Sequence, residues 1–261
     1  MGIARGSSLR IYYELTGTGR PLVLLHGAIG SIESWRMAGY VEALAEGNQL
    51  ILVDLRGHGL SEKPTAPASY VMQQQVEDVV AVLDDLGLES AVVLGWSLGG
   101  EVAFGAAALR PERIDGIVTI GAFAAEVGFA DVPRPNVKEA RRMAGRFSKE
   151  GMSFIEAALE EDGRPEWARH VRRTDPKVVA AQWRADTLVK PGDKRLHDLP
   201  QPVLAMWGEL EAPATPLPLP DGARVVVLPG ENHVGAFSRS DLIVPEIRSF
   251  LAGIPIRRAD W

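Results

Sequence analysis

Short apolar runs alternate along this chain with helix-length segments, and this alternation limits the possible folds more than any other feature. The runs that resemble fully buried strands are Pro21–Leu25, Leu50–Asp54, Ala91–Gly95 and Ile117–Gly121. The segments with apolar residues at helical spacing between them are Glu33–Glu46, Val71–Leu86 and Ser97–Leu109. Because strands joined through helices run in the same direction, the pattern predicts a mostly parallel sheet covered by helices on both faces.

The pattern is interrupted after Gly121 and resumes near residue 200. Residues 122–199 contain no strand-like run and offer four helical stretches: Val137–Lys149, Met152–Glu161, Pro165–Arg173 and Pro176–Leu188. The remaining elements are an early antiparallel strand, two late strands and a last amphipathic helix: Ser8–Glu14, Pro202–Trp207, Arg224–Leu228 and Ser240–Leu251. The sequence therefore predicts an α/β core made of residues 1–121 and 200–261, with residues 122–199 forming a helical cap insertion.

Charge and residue composition exclude several classes of function. The chain has 261 residues, with 28 basic and 34 acidic side chains and a net charge of -6, so its overall field opposes nucleic acid and anionic membranes. It contains no cysteine, which excludes disulfides, thiol nucleophiles and cysteine-based metal sites. The five histidines show no metal-ligand spacing. We therefore expect neither a metal nor a cofactor.

The chain also lacks the apolar segments that direct proteins into membranes. No apolar run approaches the length of about 18 residues that a spanning helix needs. The N-terminal residues lack the apolar centre of a signal peptide. These features predict a cytoplasmic protein with no membrane contact, and the sequence leaves open whether the chain forms a homo-oligomer.

One serine lies where a strand turns directly into a helix. Residues 92–100 read VVLGWSLGG, so the apolar strand predicted to end at Gly95 is followed by Ser97 and then by a helical segment. The pattern G-x-S-x-G is weak by itself, but this setting is that of a sharp turn that exposes a nucleophilic serine. Glycine is needed at 95 and 99 because side chains there would collide with the neighbouring strand and helix. The sequence thus favours Ser97 as a nucleophile over a simple helix cap.

A serine nucleophile needs a base and an acid that orients the base. His233 follows the last predicted strand, on a loop at the same sheet edge as Ser97. The acid must lie between these two residues at that edge, and the segment after Trp207 supplies Glu209 and Glu211. We favour Glu211 and keep Glu209 as the alternative.

Four segments together resemble a known superfamily. They read LLHGAIGSIESW, VDLRGHGLSEKP, GWSLGG and PGENH, and in this order and spacing they are similar to the α/β-hydrolase superfamily over nearly the whole chain. Within it, the sequence resembles small capped serine esterases and lactonases, including the enol-lactonase and cofactor-free perhydrolase groups. The resemblance implies that Ser97 is the nucleophile, His233 the base and Glu211 the acid, with glutamate replacing the usual aspartate.

The resemblance also implies where charge is stabilised during the reaction. The backbone N–H of Leu98, which follows the nucleophile at a helix start, would be one oxyanion donor, and the family places the second donor at Ala28. The expected reaction is hydrolysis of a carboxylic ester or lactone through an acyl-serine. The alternatives are a perhydrolase, a carbon–carbon bond hydrolase or a lyase with the same triad, and a receptor-like ligand-binding protein with vestigial hydrolysis.

Aromatic residues near the nucleophile and in the insertion suggest the character of the substrate. Trp96 flanks the serine, Trp35 lies in the helix after the oxyanion loop, and Phe147 and Trp183 lie on the apolar faces of helices in the insertion. A helical cap must turn some apolar surface toward the cleft. We therefore expect these four residues to contact a small-molecule substrate that is small to medium in size and apolar.

Overall fold

A single eight-stranded sheet organises the part of the chain that the computed structural model describes, which is residues 1–6 and 9–255. The strands are β1 (Gly2–Gly6), β2 (Leu9–Thr16), β3 (Arg20–Leu25), β4 (Asn48–Val53), β5 (Ala91–Trp96), β6 (Ile114–Ile120), β7 (Val203–Gly208) and β8 (Arg224–Leu228). Their order across the sheet is β1-β2-β4-β3-β5-β6-β7-β8. Pairing is antiparallel between β1 and β2 and between β2 and β4, and it is parallel from β4 to β8. The predicted mostly parallel sheet is confirmed.

Helices cover both faces of the sheet. They are α1 (Ile32–Met37), α2 (Tyr40–Leu44), α3 (Met72–Asp85), α4 (Leu98–Leu109), α5 (Val137–Glu150), α6 (Ser153–Glu161), α7 (Pro165–Val171), α8 (Pro176–Ala185), α9 (His233–Ser238) and α10 (Ser240–Ala252). Strand β3 shows how the two faces divide. Leu22 and Leu24 pack in the core that contains α1, α2 and α10, whereas Val23 and Leu25 pack in the core of α3 and α4. Burial on both faces explains why this strand is apolar at successive positions.

Two helices differ from the sequence prediction for reasons of backbone geometry. The helix predicted at Glu33–Glu46 is interrupted at Gly39, whose φ of 79° lies in the left-handed region, so the segment forms the separate helices α1 and α2. His233, expected on a loop, is the first residue of the short helix α9. Asn232 caps that helix by accepting a hydrogen bond from the Gly235 N–H at 2.8 Å.

The N-terminal edge of the sheet is also larger than predicted. Strand β1 pairs with β2 from Gly2 opposite Tyr13 to Gly6 opposite Leu9, although no strand is predicted there. Ser8, the predicted start of the early strand, lies outside the described residues, as does the end of the predicted core, residues 256–261.

Helices α5 to α8 lie between β6 and β7, where the sequence predicts a helical insertion. Helix α5 packs against α8 and α6 packs against α7. The first and last of these helices begin at side-chain caps, since Asn136 accepts from the Lys138 N–H at 3.0 Å and Asp175 accepts from the Lys177 N–H at 2.8 Å. The division into a core and a cap domain stays a prediction.

The connection from β7 to β8 contains no helix across residues 209–223, all of which the structure describes. Its prolines, Pro213, Pro216, Pro218 and Pro220, prevent helix formation there. Across residues 1–6 and 9–255, every helix is too short or too polar to cross a lipid bilayer.

Candidate active site

Ser97 occupies a strained turn between β5 and α4. Its φ of 53° and ψ of -119° make it one of two non-glycine residues with positive φ in the described chain, the other being Ala124. This backbone conformation costs on the order of 1–3 kcal/mol in a residue with a side chain. The surrounding structure holds Ser97 in this strained conformation at the end of the strand, where the residue lines a cavity.

Glycines on either side make this turn sterically feasible. A Cβ at Gly95 would lie 2.2 Å from the Gly99 carbonyl carbon, and a Cβ at Gly99 would lie 2.0 Å from the Leu25 oxygen. Contacts this short to backbone atoms cannot be relieved by rotating a side chain. Strand β5, helix α4 and strand β3 therefore meet closely enough to fix the serine only because both positions are glycine.

Glu211 and His233 form a hydrogen-bonded pair at the same sheet edge. The imidazole Nδ1 donates to the Oε2 atom of Glu211. The other carboxylate oxygen, Oε1, accepts from the Gly208 N–H at 3.4 Å. With Nδ1 donating to the carboxylate, Nε2 is the ring nitrogen that can accept a proton. The carboxylate side chain is 14% exposed and the imidazole is 37% exposed, so the base remains reachable from solvent while its partner is mostly covered.

The end of β6 brings this pair beside Ser97. The Ser97 N–H donates to the Ile120 oxygen at 2.8 Å. Gly121 directly follows β6, and a Cβ on it would lie 2.7 Å from His233 Cε1 and 3.1 Å from Glu211 Oε1. The Trp96 ring also stacks on the His233 ring at a centroid distance of 5.7 Å. The structure thus gathers all three predicted triad residues at the carboxyl edge of the parallel strands.

The two candidate acids have different partners. Glu209 accepts a hydrogen bond from the Gly230 N–H at 2.8 Å and so ties the β7–β8 connection to the turn after β8. Glu211 is the one that bonds the imidazole. This geometry favours the assignment made from the sequence.

Histidines hold the loop that contains Ala28. His58 places Nε2 2.8 Å from the Ala28 oxygen and Nδ1 3.0 Å from the Arg56 oxygen. His26 accepts from the Leu55 N–H through Nε2 at 3.0 Å, so its Nδ1 donates to the Gly27 oxygen at 2.8 Å. Burial lowers the pKa of both histidines, that of His26 well below its usual value. Burial thus disfavours a charge on either ring, and the contacts of both histidines hold this loop in place.

A cavity of about 150 Å³ joins the serine to the predicted oxyanion donors. Ser97, Ala28 and Leu98 line it together, and so does Trp183. The Leu98 N–H is the first of α4 and has no acceptor within the helix, which leaves it available to a developing oxyanion. One of the four predicted substrate contacts, Trp183, therefore reaches the cavity.

The other three predicted substrate contacts are buried and do not line this cavity, so their contact with a substrate stays a prediction. Trp35 has no exposed surface and packs edge-on against Tyr40 and Phe237. Trp96 is 2% exposed and Phe147 is 3% exposed, and neither lines the cavity that contains Ser97. The physical reason is that their apolar faces complete the core beneath the site instead of turning toward the cleft.

Polar residues that the sequence analysis missed line the rest of the cavity: Tyr70, Gln75, Glu126, Gln182 and Asp186. The cavity is thus more polar than the aromatic residues of the insertion predict. A sequence signal did exist for two of them. Gln75 and Gln182 interrupt the apolar faces of α3 and α8, where helical spacing would place an apolar residue.

Three acidic groups influence one another near this cavity. Burial raises the pKa of Glu126 well above its usual value, with a further contribution from the charge of Asp186. Burial, and then the charge of Glu101, raises the pKa of Asp186 to about 7. Burial also raises the pKa of Glu101, although its carboxylate accepts from the Phe123 N–H at 2.7 Å and the Glu126 N–H at 3.1 Å.

Comparison with known proteins places this geometry in a family. A sequence profile described as alpha/beta hydrolase fold matches residues 20–216. The chain belongs to the α/β-hydrolase fold family. The esterase-like or lactonase-like resemblance seen in the sequence agrees with its relatives in this family.

Two curated relatives match 94% of the chain at 28% identity. One is the dihydrolipoyllysine-residue acetyltransferase component of an acetoin cleaving system from Pseudomonas putida, and the chain spans 67% of its length. The other is a pimeloyl-[acyl-carrier protein] methyl ester esterase from Xylella fastidiosa, which is matched over 100% of its length.

Among solved structures, the enol-lactonase from Burkholderia xenovorans LB400 is similar in fold. It superimposes with a TM-score of 0.78 at 22% identity and covers 96% of this chain and 100% of its own. At this identity the likeness shows the shared fold alone. The chain is therefore an α/β hydrolase by family and by fold.

Proposed function

We propose that this α/β hydrolase is a serine hydrolase that cleaves a carboxylic ester or lactone through an acyl-serine intermediate. The observation that carries the proposal is the hydrogen bond between His233 and Glu211 at the sheet edge where the strained turn presents Ser97. Relatives that are esterases and an enol-lactonase support the same class of reaction.

Acylation would begin with a proton transfer from the Ser97 hydroxyl to Nε2 of His233. The serine oxygen forms a bond to the substrate carbonyl carbon, and the carbonyl electron pair moves onto oxygen. The backbone N–H groups of Ala28 and Leu98 would stabilise this oxyanion, each contributing roughly 10²- to 10³-fold in rate. When the tetrahedral intermediate collapses, His233 passes its proton to the leaving alkoxide, and in a lactone that alkoxide stays attached to the acyl group.

Deacylation repeats these steps with water as the nucleophile. His233 takes a proton from water as the hydroxide oxygen bonds to the acyl carbon, and the proton returns to the Ser97 oxygen as the acid is released. Glu211 stays ionised throughout and stabilises the imidazolium formed in each half-reaction. The apolar substrate preference expected from the sequence is not part of this proposal, because polar side chains line the cavity around Ser97.

A panel of p-nitrophenyl acetate, p-nitrophenyl butyrate and a simple lactone, assayed near pH 8, tests the proposal. The wild type should hydrolyse at least one of them, and Ser97→Ala should lose about 10³-fold or more of kcat/KM while keeping the wild-type unfolding midpoint. Folded wild-type protein that cleaves none of the compounds, or a Ser97→Ala variant as active as wild type, would overturn it.

A further inference from the structure

Polar side chains form one side of the cavity that contains Ser97, and we call Gln75, Glu126, Gln182 and Asp186 the polar wall. Three of them, Gln75, Glu126 and Asp186, also line a neighbouring cavity of about 950 Å³ between α3 and the segment after α8. These three residues are therefore shared by the larger cavity and the cavity of Ser97. A substrate that enters through the larger cavity passes these groups.

The two glutamines of the polar wall have unused hydrogen-bonding capacity. Gln75 is 2% exposed, and its Nε2 donates to the Tyr70 oxygen at 3.0 Å, while its Oε1 has no hydrogen-bond partner among the described residues. Gln182 is 7% exposed, and neither Oε1 nor Nε2 has a partner in that part of the chain. Buried amide groups without partners destabilise a protein, so native structures retain them where a ligand or a catalytic role uses them.

The carboxyl groups of the polar wall favour a positively charged ligand. Glu126 and Asp186 face the same cavity as the glutamine amides, whereas the neighbouring Glu101 is already engaged with backbone N–H groups. Burial and the charge of neighbouring acidic groups raise the pKa values of both carboxyl groups and so disfavour their charged forms. A bound cation would favour the charged forms again. An apolar substrate would leave the amides without partners.

Among residues 1–6 and 9–255, no basic side chain lines the cavity of Ser97. Arg134, Lys190 and Lys194 line only the larger cavity, and the ammonium of Lys194 bonds the Ala108 oxygen. A cation from the substrate is therefore the complementary partner for the two carboxylates.

We propose that the polar wall binds a protonated primary amino group of the substrate, so that the ester or lactone cleaved at Ser97 carries an ammonium group. This inference rests on the proposed function and narrows its substrate class. The oxygens of Gln75, Gln182, Glu126 and Asp186 supply acceptors on one side of the cavity, and a primary ammonium has three N–H donors for them.

Matched ester pairs test the proposal because each replaces an ammonium group with a methyl group. On the acyl side the pair is ethyl 4-aminobutanoate and ethyl pentanoate, and on the alcohol side it is 3-aminopropyl acetate and butyl acetate. Hydrolysis is followed by proton release at pH 7. In at least one pair, the wild-type kcat/KM should be about tenfold or more higher for the ammonium ester, the size expected for a charge-assisted hydrogen bond.

Variants of the polar wall should remove this preference. Glu126→Gln, Asp186→Asn and Gln182→Leu should each lower the ratio of the two kcat/KM values by about tenfold. Glu160→Gln, which removes an exposed carboxylate of α6, should leave the ratio at the wild-type value. Equal rates within both pairs, or ratios unchanged in the variants of the polar wall, would overturn the proposal.

A binding measurement separates this proposal from the proposed function. In Ser97→Ala, calorimetric titration should show tighter binding of ethyl 4-aminobutanoate or 3-aminopropyl acetate than of its neutral partner, and adding Glu126→Gln should abolish the difference. If wild type cleaves neutral esters but neither measurement shows a preference for ammonium, the polar wall proposal fails and the hydrolase proposal stands. If no ester is cleaved but the binding difference is present, the hydrolase proposal fails and only the binding of an ammonium group by the polar wall stands.

Discussion

The imidazole Nδ1 of His233 donates a hydrogen bond to Oε2 of Glu211, although the two residues follow different strands and lie 22 positions apart. The contact exists because β7 and β8 are parallel neighbours, so the segments after them emerge at the same sheet edge. Glu211 occupies the position where the resembling family usually has aspartate. The additional methylene of glutamate does not prevent the pairing.

The acid can be assigned by comparing two neutral substitutions. Glu211→Gln should lower kcat by about 10³- to 10⁴-fold, because the amide no longer stabilises the imidazolium or fixes the ring tautomer. Glu209→Gln is the matched control and should lower kcat by less than about fivefold, because its carboxylate bonds the Gly230 N–H and not the ring. If Glu209→Gln is the impaired enzyme, the assignment of the acid is wrong.

Backbone strain at Ser97 should be visible in stability. Ser97→Ala and Ser97→Gly both remove the nucleophile, but only glycine relaxes a φ of 53° with a ψ of -119°. The glycine variant should therefore unfold at a higher urea concentration than the alanine variant. Its free energy of unfolding should be higher by about 1–2 kcal/mol. Equal stability of the two variants would show that the turn is not strained.

Gly121 tests how closely the triad is held. Alanine there would place Cβ 2.7 Å from His233 Cε1, so Gly121→Ala should displace the ring and lower kcat by about 10- to 100-fold. Gly47→Ala is the control, because Gly47 has a φ of 79° but no neighbouring atom within 4 Å of its added Cβ. Steady-state kinetics in which both variants lose activity equally would rule out a steric effect on the triad.

Asp186 should give the protein a specific pH dependence of stability. Its pKa is raised to about 7 in the folded chain and is about 3.9 in an unfolded one. Between these values the folded state binds a proton that the unfolded state does not, so the contribution of Asp186 to stability rises as the pH falls.

Urea denaturation at pH 5 and pH 8 measures this effect. The stability of wild type relative to Asp186→Asn should increase by about 2 kcal/mol on going from pH 8 to pH 5. The exposed Asp193→Asn provides the control for the same replacement at the protein surface. A pH-independent difference for Asp186→Asn would contradict the raised pKa.

The sequence predicts most of the sheet because its central strands are buried on both faces and are therefore apolar throughout. It predicts the triad because a sharp strand–helix turn and the ends of parallel strands leave recognisable residue patterns. Strand β1 escapes prediction because Gly2–Gly6 is held by pairing with β2 and not by an apolar pattern of its own. The break at Gly39 depends on a left-handed backbone conformation that glycine permits but does not require.

The lining of the cavity could not be predicted because it depends on how the helices pack. Trp35 lies on an apolar helix face, and sequence spacing does not tell whether that face meets the core or the cleft. Gln75 and Gln182 are visible as polar interruptions of α3 and α8, but only the packing of these helices beside Ser97 shows that both face one cavity. Aromatic content therefore did not reveal the polar side chains that line the cavity together with apolar ones.

Fluorophosphonate labelling tests the acyl-serine mechanism most directly. A fluorophosphonate forms a covalent bond to a serine oxygen only when a base and an oxyanion site activate that serine, and peptide mass spectrometry locates the bond. Folded wild-type protein should carry a single adduct on Ser97, and His233→Ala should form it about 10³-fold more slowly. Absence of an adduct from folded protein, or an adduct on a different residue, would contradict the assignment of Ser97 as the nucleophile.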